Sequence, residues 1–436
     1  MREDGGRRAV FGWAIYDWAN SAFATVVMAG FFPVFFASYW SEGADPTVTT
    51  ARLGMANSLA GITVALLAPV LGAIADRGTA RKRFLVFFAY MGAVSTCGLW
   101  MVAEGRWPAA IALYVIASVG FSGSIIFNDA LLPVVAGRRS LDRVSAAGYA
   151  LGYLGGGLLF ALNVWMTLSP GRFGLAGPES AVRLAFLLTG IWWALFTVPL
   201  MLFVPEPRKG GRSEGLSMVR SGLRELARTF GEIRRLRTIL LFLAAYWCYI
   251  DGVDTIVRMA VNYGLAIGLG RDDLIVALLV TQFVGFPSAI LFGRLGERAG
   301  AKRAILLAIA VYLGVCVWAS LMSTREEFMV MAVTVGLVQG GIQALSRSMY
   351  ARMIPPGKSA EYFGFYNMLG KFAAVLGPLL IGGTGLLLRR AGAEHLTATR
   401  ISILSIAVLF IAGALLLLKV DEERGRRETE SLAGGT

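Results

Sequence analysis

Long apolar runs alternate along this chain with short stretches rich in arginine, lysine and acidic residues. Nine of the runs carry no charge at all: Leu53 to Ala75, Phe84 to Ala103, Trp107 to Phe127, Val144 to Pro170, Leu184 to Pro205, Leu274 to Gly293, Ala304 to Thr324, Phe328 to Ser346 and Ile401 to Leu418. At about 1.5 Å of rise per helical residue, each crosses a hydrocarbon layer of roughly 30 Å. Three further runs, Trp13 to Tyr39, Thr238 to about Leu269 and Tyr362 to Leu388, hold a few charges and are read as spans too. The pattern predicts an all-α membrane protein with twelve transmembrane helices and both chain ends on one side. The longest connection, Glu206 to Arg237, parts six spans from six. We therefore expect two pseudo-symmetric six-helix bundles, 1–205 and 238–420, joined by a linker, 206–237, and followed by a tail, 421–436.

Two connections in matching positions resemble each other. Gly72-Ala-Ile-Ala-Asp76-Arg77 leads on to Arg81-Lys82-Arg83, and Gly293-Arg294-Leu-Gly-Glu297-Arg298 leads on to Lys302-Arg303. Each lies between two apolar runs, as a duplicated membrane unit would place it. Such clusters either set topology or act as tight turns in a moving part.

Composition agrees with a membrane interior: 56% of the 436 residues are hydrophobic and 16% are charged, too apolar for a water-soluble domain. Of the 41 Lys and Arg, 30 fall in the even-numbered connections and the two chain ends. Positive residues gather on cytoplasmic loops, so both termini are expected to be cytoplasmic. The net charge of +13 then reports topology and not a nucleic-acid surface. The first span has no evident cleavage site and is expected to serve as its own insertion signal. Cys97, Cys248 and Cys316 lie in apolar runs without a close partner, and the single histidine, His395, falls on an outer connection. No disulfide framework, metal centre or cofactor is expected.

In the linker, Leu216, Val219, Leu223, Leu226, Phe230, Ile233 and Leu236 recur every three or four residues, with arginines on the remaining faces. That pattern fits a helix lying against anionic lipid, or more simply a tether between halves. The mixed-charge tail after Lys419 is expected to be disordered.

Further strings narrow the picture: Tyr16-Asp17-Trp18-Ala19-Asn20-Ser21-Ala22-Phe23, Gly152-Tyr153-Leu154-Gly155-Gly156-Gly157, Asp251-Gly252-Val253, and Gln339-Gly340-Gly341 through Ala344-Leu345-Ser346-Arg347-Ser348. Ile354-Pro355-Pro356-Gly357-Lys358 and Phe363-Gly364-Phe365-Tyr366-Asn367 to Gly370-Lys371-Phe372 complete the set. Together with the repeated loops, they resemble the major facilitator superfamily, and within it the bacterial branch of the autophagy-related vacuolar effluxer family. Fungal members of that family export amino acids from the vacuole. Relative to the superfamily pattern, the first loop has Gly78 early, then Thr79 and Ala80, and the second has Glu297 for the usual Asp. The resemblance implies that Asp76 meets the start of the eleventh span and nearby arginines when the transporter is open to the outside. It names Gly72, Asp76, Arg77, Arg81, Gly293, Arg294, Glu297 and Arg298 as gating-loop residues.

Charges inside spans cost about 2.5 to 3.5 kcal/mol or more and usually face water or a partner. Asp17 either lines such a cavity or steadies the start of its helix. Asp251, Asp254 and Arg258 share one face of the seventh span by i, i+3, i+7 spacing; Asp254 and Arg258 can pair, which leaves Asp251 as the unpaired carboxylate. Lys371 lies near the midplane of the eleventh span. A zwitterion needs a cation for its carboxylate and an anion for its ammonium, and these groups could supply both. Asn20, Asn57, Gln282, Gln339, Gln343 and Asn367 are the expected polar lining.

The sequence thus points to a proton-coupled carrier of a small polar solute, an amino acid first, in the bacterial cytoplasmic membrane. It is expected to work as a monomer, with membrane lipid, substrate and protons as its partners. An exporter of drugs, sugars or lipid-like solutes stays open through Trp192, Trp193, Trp247 and Phe283. An intramembrane enzyme or a non-transporting sensor lacks, respectively, a catalytic set and a large cytoplasmic part.

Overall fold

The computed structural model describes residues 6–78, 80–206, 231, 236–266, 268–355, 357–372 and 376–434. Every regular element among them is a helix. Eleven of these helices are long and apolar enough to cross a membrane, and they coincide with the first ten predicted spans and the twelfth. The predicted eleventh span is formed by helices Ser359–Phe372 and Leu376–Arg390. The expected linker helix lies outside the described residues.

Helix starts follow from local chemistry. Thr324 caps the tenth helix by accepting the Glu327 N–H at 3.3 Å, while Glu327 accepts the Thr324 N–H at 3.0 Å. Asp45 accepts the Thr47 N–H at 2.7 Å at the head of the second. The tenth helix, Arg325–Met353, runs past the predicted end at Ser346, so Arg347 and Arg352 are helical residues and not loop bases.

The first span departs from a regular α-helix. Between Arg7–Ala22 and Ser41 it holds two π-helical stretches, Phe23–Phe31 and Phe36–Trp40, on either side of the short turn Phe32–Phe35. Pro33 lacks an N–H, which removes a bond from the ordinary ladder, and Ser41 donates five residues back to Phe36 at 2.9 Å. This far end is clamped by rings: Phe32 stacks on Tyr114 at 4.0 Å and Trp40 on Phe186 at 5.6 Å.

The chain divides into two compact units: Met1–Gly137, Leu151–Leu223 and Ser359–Gly364 in one; Arg138–Ala150, Arg224–Lys358 and Phe365–Thr436 in the other. The second unit has its own aromatic core, with Tyr246 stacked on Tyr366 at 4.1 Å and Tyr350 on Tyr366 at 5.0 Å. The tail corrects the expectation of disorder. Glu422–Gly434 is a helix, because its acids find fixed partners in the second unit, as set out below.

Candidate functional site

In the first unit, Asp76 closes the helix Pro46–Gly78 and accepts three donors. These are Arg81 Nε at 2.6 Å, the Ala360 N–H at 3.1 Å and the Glu361 N–H at 2.9 Å. The first N–H groups of helix Ser359–Phe372 have no intrahelical partner, so a carboxylate there satisfies both their bonding and the helix dipole. Both Asp76 and Arg81 are buried. Gly72 permits the approach, since a Cβ there would strike the Ala360 carbonyl. Ser359 Oγ adds a bond to the Ala130 carbonyl at 2.8 Å. The side chain of Arg77 lies outside the described residues.

The second loop is built differently. Gly293 packs against Ala146, and Gly296 against Asp142. Glu297 meets exposed Arg143 at 3.7 Å, a weak contact in water. Arg294 and Arg298 are exposed and make no ion pair among the described residues. The strong chemistry sits at Asp142, which the sequence reading passed over. It pairs with Arg352 at 2.8 Å and accepts a hydrogen bond from Ser348 Oγ. One turn on, Arg347 donates to Ser145 Oγ and to the Ser145 carbonyl, both at 2.9 Å, and stands 4.5 Å over the Tyr149 ring. The available signals were the acid at Asp142 amid Arg138, Arg139 and Arg143, and the Ser346-Arg347-Ser348 string.

The base after each loop also has a defined partner. Lys82 Nζ donates to the carbonyls of Met201 and Val204 at 3.0 and 2.9 Å, at the end of the sixth span. Lys302 Nζ does the same to Leu418 and Val420 at 2.7 and 2.8 Å, at the end of the twelfth. A cation at a helix carboxy end meets orphan carbonyls and the negative pole of the dipole. Close by, burial pushes the Glu206 carboxyl up from its ordinary value, opposed by the N–H and charge of Lys82.

Polar groups collect inside the first unit. Asn128 Nδ2 donates to Asp17 at 3.0 Å, and its own carbonyl receives Trp13 Nε1 at 2.7 Å. The side-chain oxygen of Asn128 is buried without a hydrogen-bond partner. Asn20, Ser124 and Trp193 surround the Tyr16 hydroxyl. Asn57, in contrast, is exposed, and accepts from the Tyr114 hydroxyl at 2.8 Å.

On the seventh span, the structure corrects the expectation for Asp251. Far from unpaired, its buried carboxylate accepts the Leu376 and Gly377 N–H groups, each at 3.0 Å, and Thr255 Oγ1 at 3.2 Å. It therefore caps the helix Leu376–Arg390. The expected Asp254–Arg258 ion pair is not formed among the described residues, and Arg258 is exposed. Gln282, Gln339, Gln343 and Asn367 are partly buried in the second unit. The side chain of Lys371 lies outside the described residues.

Residues 5–430 match the family described as vacuole effluxer Atg22 like. An uncharacterized MFS-type transporter of Bacillus subtilis, YxiO, is 38% identical over 413 residues, covering 94% of each chain. Autophagy-related protein 22 of Yarrowia lipolytica is 25% identical, over 82% of this chain and 73% of its own. Among solved structures, the human organic anion transporter MFSD10 superimposes with a TM-score of 0.70 at 15% identity, over 96% of this chain and 100% of its own. The proton:xylose symporter XylE gives 0.70 at 14% identity, over 98% and 97%. These two establish the fold. The chain belongs to the vacuole effluxer Atg22-like family and is a multi-pass secondary transporter of the major facilitator superfamily.

Proposed function

We propose that this protein carries a small polar solute, an amino acid, across the bacterial cytoplasmic membrane by alternating access, with proton coupling and with both termini cytoplasmic. A monomer, embedded in lipid, is the working unit, and its moving parts are the bundles 1–205 and 238–420. The observation that carries the reading is the Asp76 carboxylate capping the start of helix Ser359–Phe372. Such a cap is made or broken as a unit, and so it biases a two-state motion. The Asp142–Arg352 pair is the corresponding tie at the second loop.

Cargo is argued from charge. Asp17, with the amides of Asn20 and Asn128 nearby in the chain fold, suits an ammonium; Lys371 or Arg258 suits a carboxylate. The family description of an effluxer favours outward movement, and amino acids are the cargo that the resemblance to the fungal effluxers implies. We assign the proton to Asp17 in preference to Asp251. Asp251 is committed to backbone N–H groups, which protonation would compromise. Asp17 faces a neutral amide that donates to the carboxylate through Nδ2 and, once flipped, would accept from the protonated acid through the now idle Oδ1.

The test is a thermal-shift screen of the purified protein against amino acids, peptides and sugars, since a ligand that prefers the folded state raises the melting point. Transport of each hit is then measured in proteoliposomes under a pH difference. Stabilisation by an amino acid and pH-driven flux are expected. A shift with sugars alone would overturn the cargo, and flux indifferent to a protonophore would overturn the coupling.

A further inference from the structure

The carboxy-terminal helix uses its acids in a specific way. Arg352, near the end of the tenth span, lies between two carboxylates: Asp142 at 2.8 Å and Glu422 of the tail at 2.5 Å. Glu428 accepts the N–H and hydroxyl of Thr238, at 3.1 and 3.0 Å, at the head of the seventh span. Glu430 reaches Arg138, in the turn before helix Leu141–Leu168, at 3.7 Å, a weak contact between exposed side chains. Glu422, Gly425 and Thr429 share one face by i, i+3, i+7 spacing. Gly425 seats that face against Met353 and Thr238, and Thr429 is buried. Asp421 caps the helix through the N–H groups of Glu423 and Arg424 at 3.0 and 3.1 Å. A mixed-charge tail that merely trailed in water would not seat two acids on two separate helices.

We propose that this helix is a latch on the Asp142 gate. While docked, it holds Arg352 in position for Asp142 through Glu422, and Glu428 anchors it at Thr238. When Asp142 withdraws, Glu422 keeps the guanidinium paired, so that half-buried Arg352 is never left as a bare charge. Docking therefore sets both how firmly this gate shuts and how readily it reopens. The inference rests on the alternating-access reading and assigns regulation to the same gate.

The experiment is a distance measurement by pulsed electron resonance on the full chain in nanodiscs, lacking Cys97, Cys248 and Cys316 and labelled at exposed Arg139→Cys and Arg303→Cys. Glu422→Ala is expected to enlarge the long-distance population about fivefold, at the lower end of typical coupling between sites. Deleting 421–436 is expected to do the same, and a Gly425→Cys/Met353→Cys disulfide to suppress it. Exposed Glu423→Ala on the same helix should change nothing. Asp76→Ala separates the two ideas. If it shifts the distribution and Glu422→Ala does not, the latch is overturned and alternation stands. If neither shifts it, alternation itself fails. Should the deletion variant not yield monodisperse protein, Glu422→Ala in the full chain decides the matter.

Discussion

Asp76 accepts the backbone N–H of Glu361 at 2.9 Å, across 285 positions of the chain. Replacing it tests the cap directly. Asp76→Ala strands buried Arg81 and two N–H groups, a loss of about 3 to 5 kcal/mol for the broken buried pair. Asp76→Asn keeps an acceptor but no charge, and is expected to lose less. Thermal unfolding in detergent ranks the two, and an Asp76→Ala protein as stable as the parent would remove the cap from the mechanism.

Gly72 and Gly61 lie on the same helix in unlike surroundings. A Cβ at Gly72 meets the Ala360 carbonyl, which as backbone cannot swing aside, whereas one at Gly61 meets nothing within 4 Å. Gly72→Ala should weaken the closed gate and slow transport. Gly61→Ala should be neutral or stabilise by up to about 1 kcal/mol through helix propensity. Equal behaviour of the two in melting and flux assays would contradict the close approach.

Lys82 and Lys302 make equivalent contacts in different units. Lys82→Ala and Lys302→Ala are each expected to cost about 1 kcal/mol, in keeping with charge-assisted bonds at helix ends. The double variant should show the sum, because the sites share no partner. A reporter fused to the carboxy terminus should find topology unchanged, which separates this role from the positive-inside effect.

Asp17 and Asp251 are predicted to separate coupling from stability. Asp17→Asn should abolish pH-driven flux while leaving exchange of substrate across the membrane. Asp251→Asn should retain pH-driven flux and lower the melting point, since an amide offers one oxygen where the carboxylate offers two to Leu376 and Gly377. The reverse pattern in proteoliposomes would move the proton to Asp251.

Much of the fold could be read directly from the chain, because a span announces itself by length and apolarity alone. The loops at Gly72 and Gly293 were legible for the same reason: each repeats a short pattern between two such runs. What stayed hidden was distant pairing. Asp251 looks unpaired in sequence because its partners are backbone N–H groups of Leu376 and Gly377, and a backbone donor leaves no trace in residue identity. Asp142 and Arg352 sit on helices too far apart in sequence to be matched by spacing. The tail reads as disordered by composition, yet Glu422 and Glu428 are held by Arg352 and Thr238. Nor does any residue type mark a π-helix, although Pro33 shows where the ladder must adapt.

That widened stretch, Phe23–Phe31, has a mechanical implication. Tightening a single five-residue turn to α-helical spacing turns the chain beyond it by about 100°. Phe32, Phe35 and Trp40 would then present new faces to Tyr114 and Phe186, while Asp17, on the other side of the stretch, stays put. Such a change would re-register one end of the first span without disturbing the chemistry at the other.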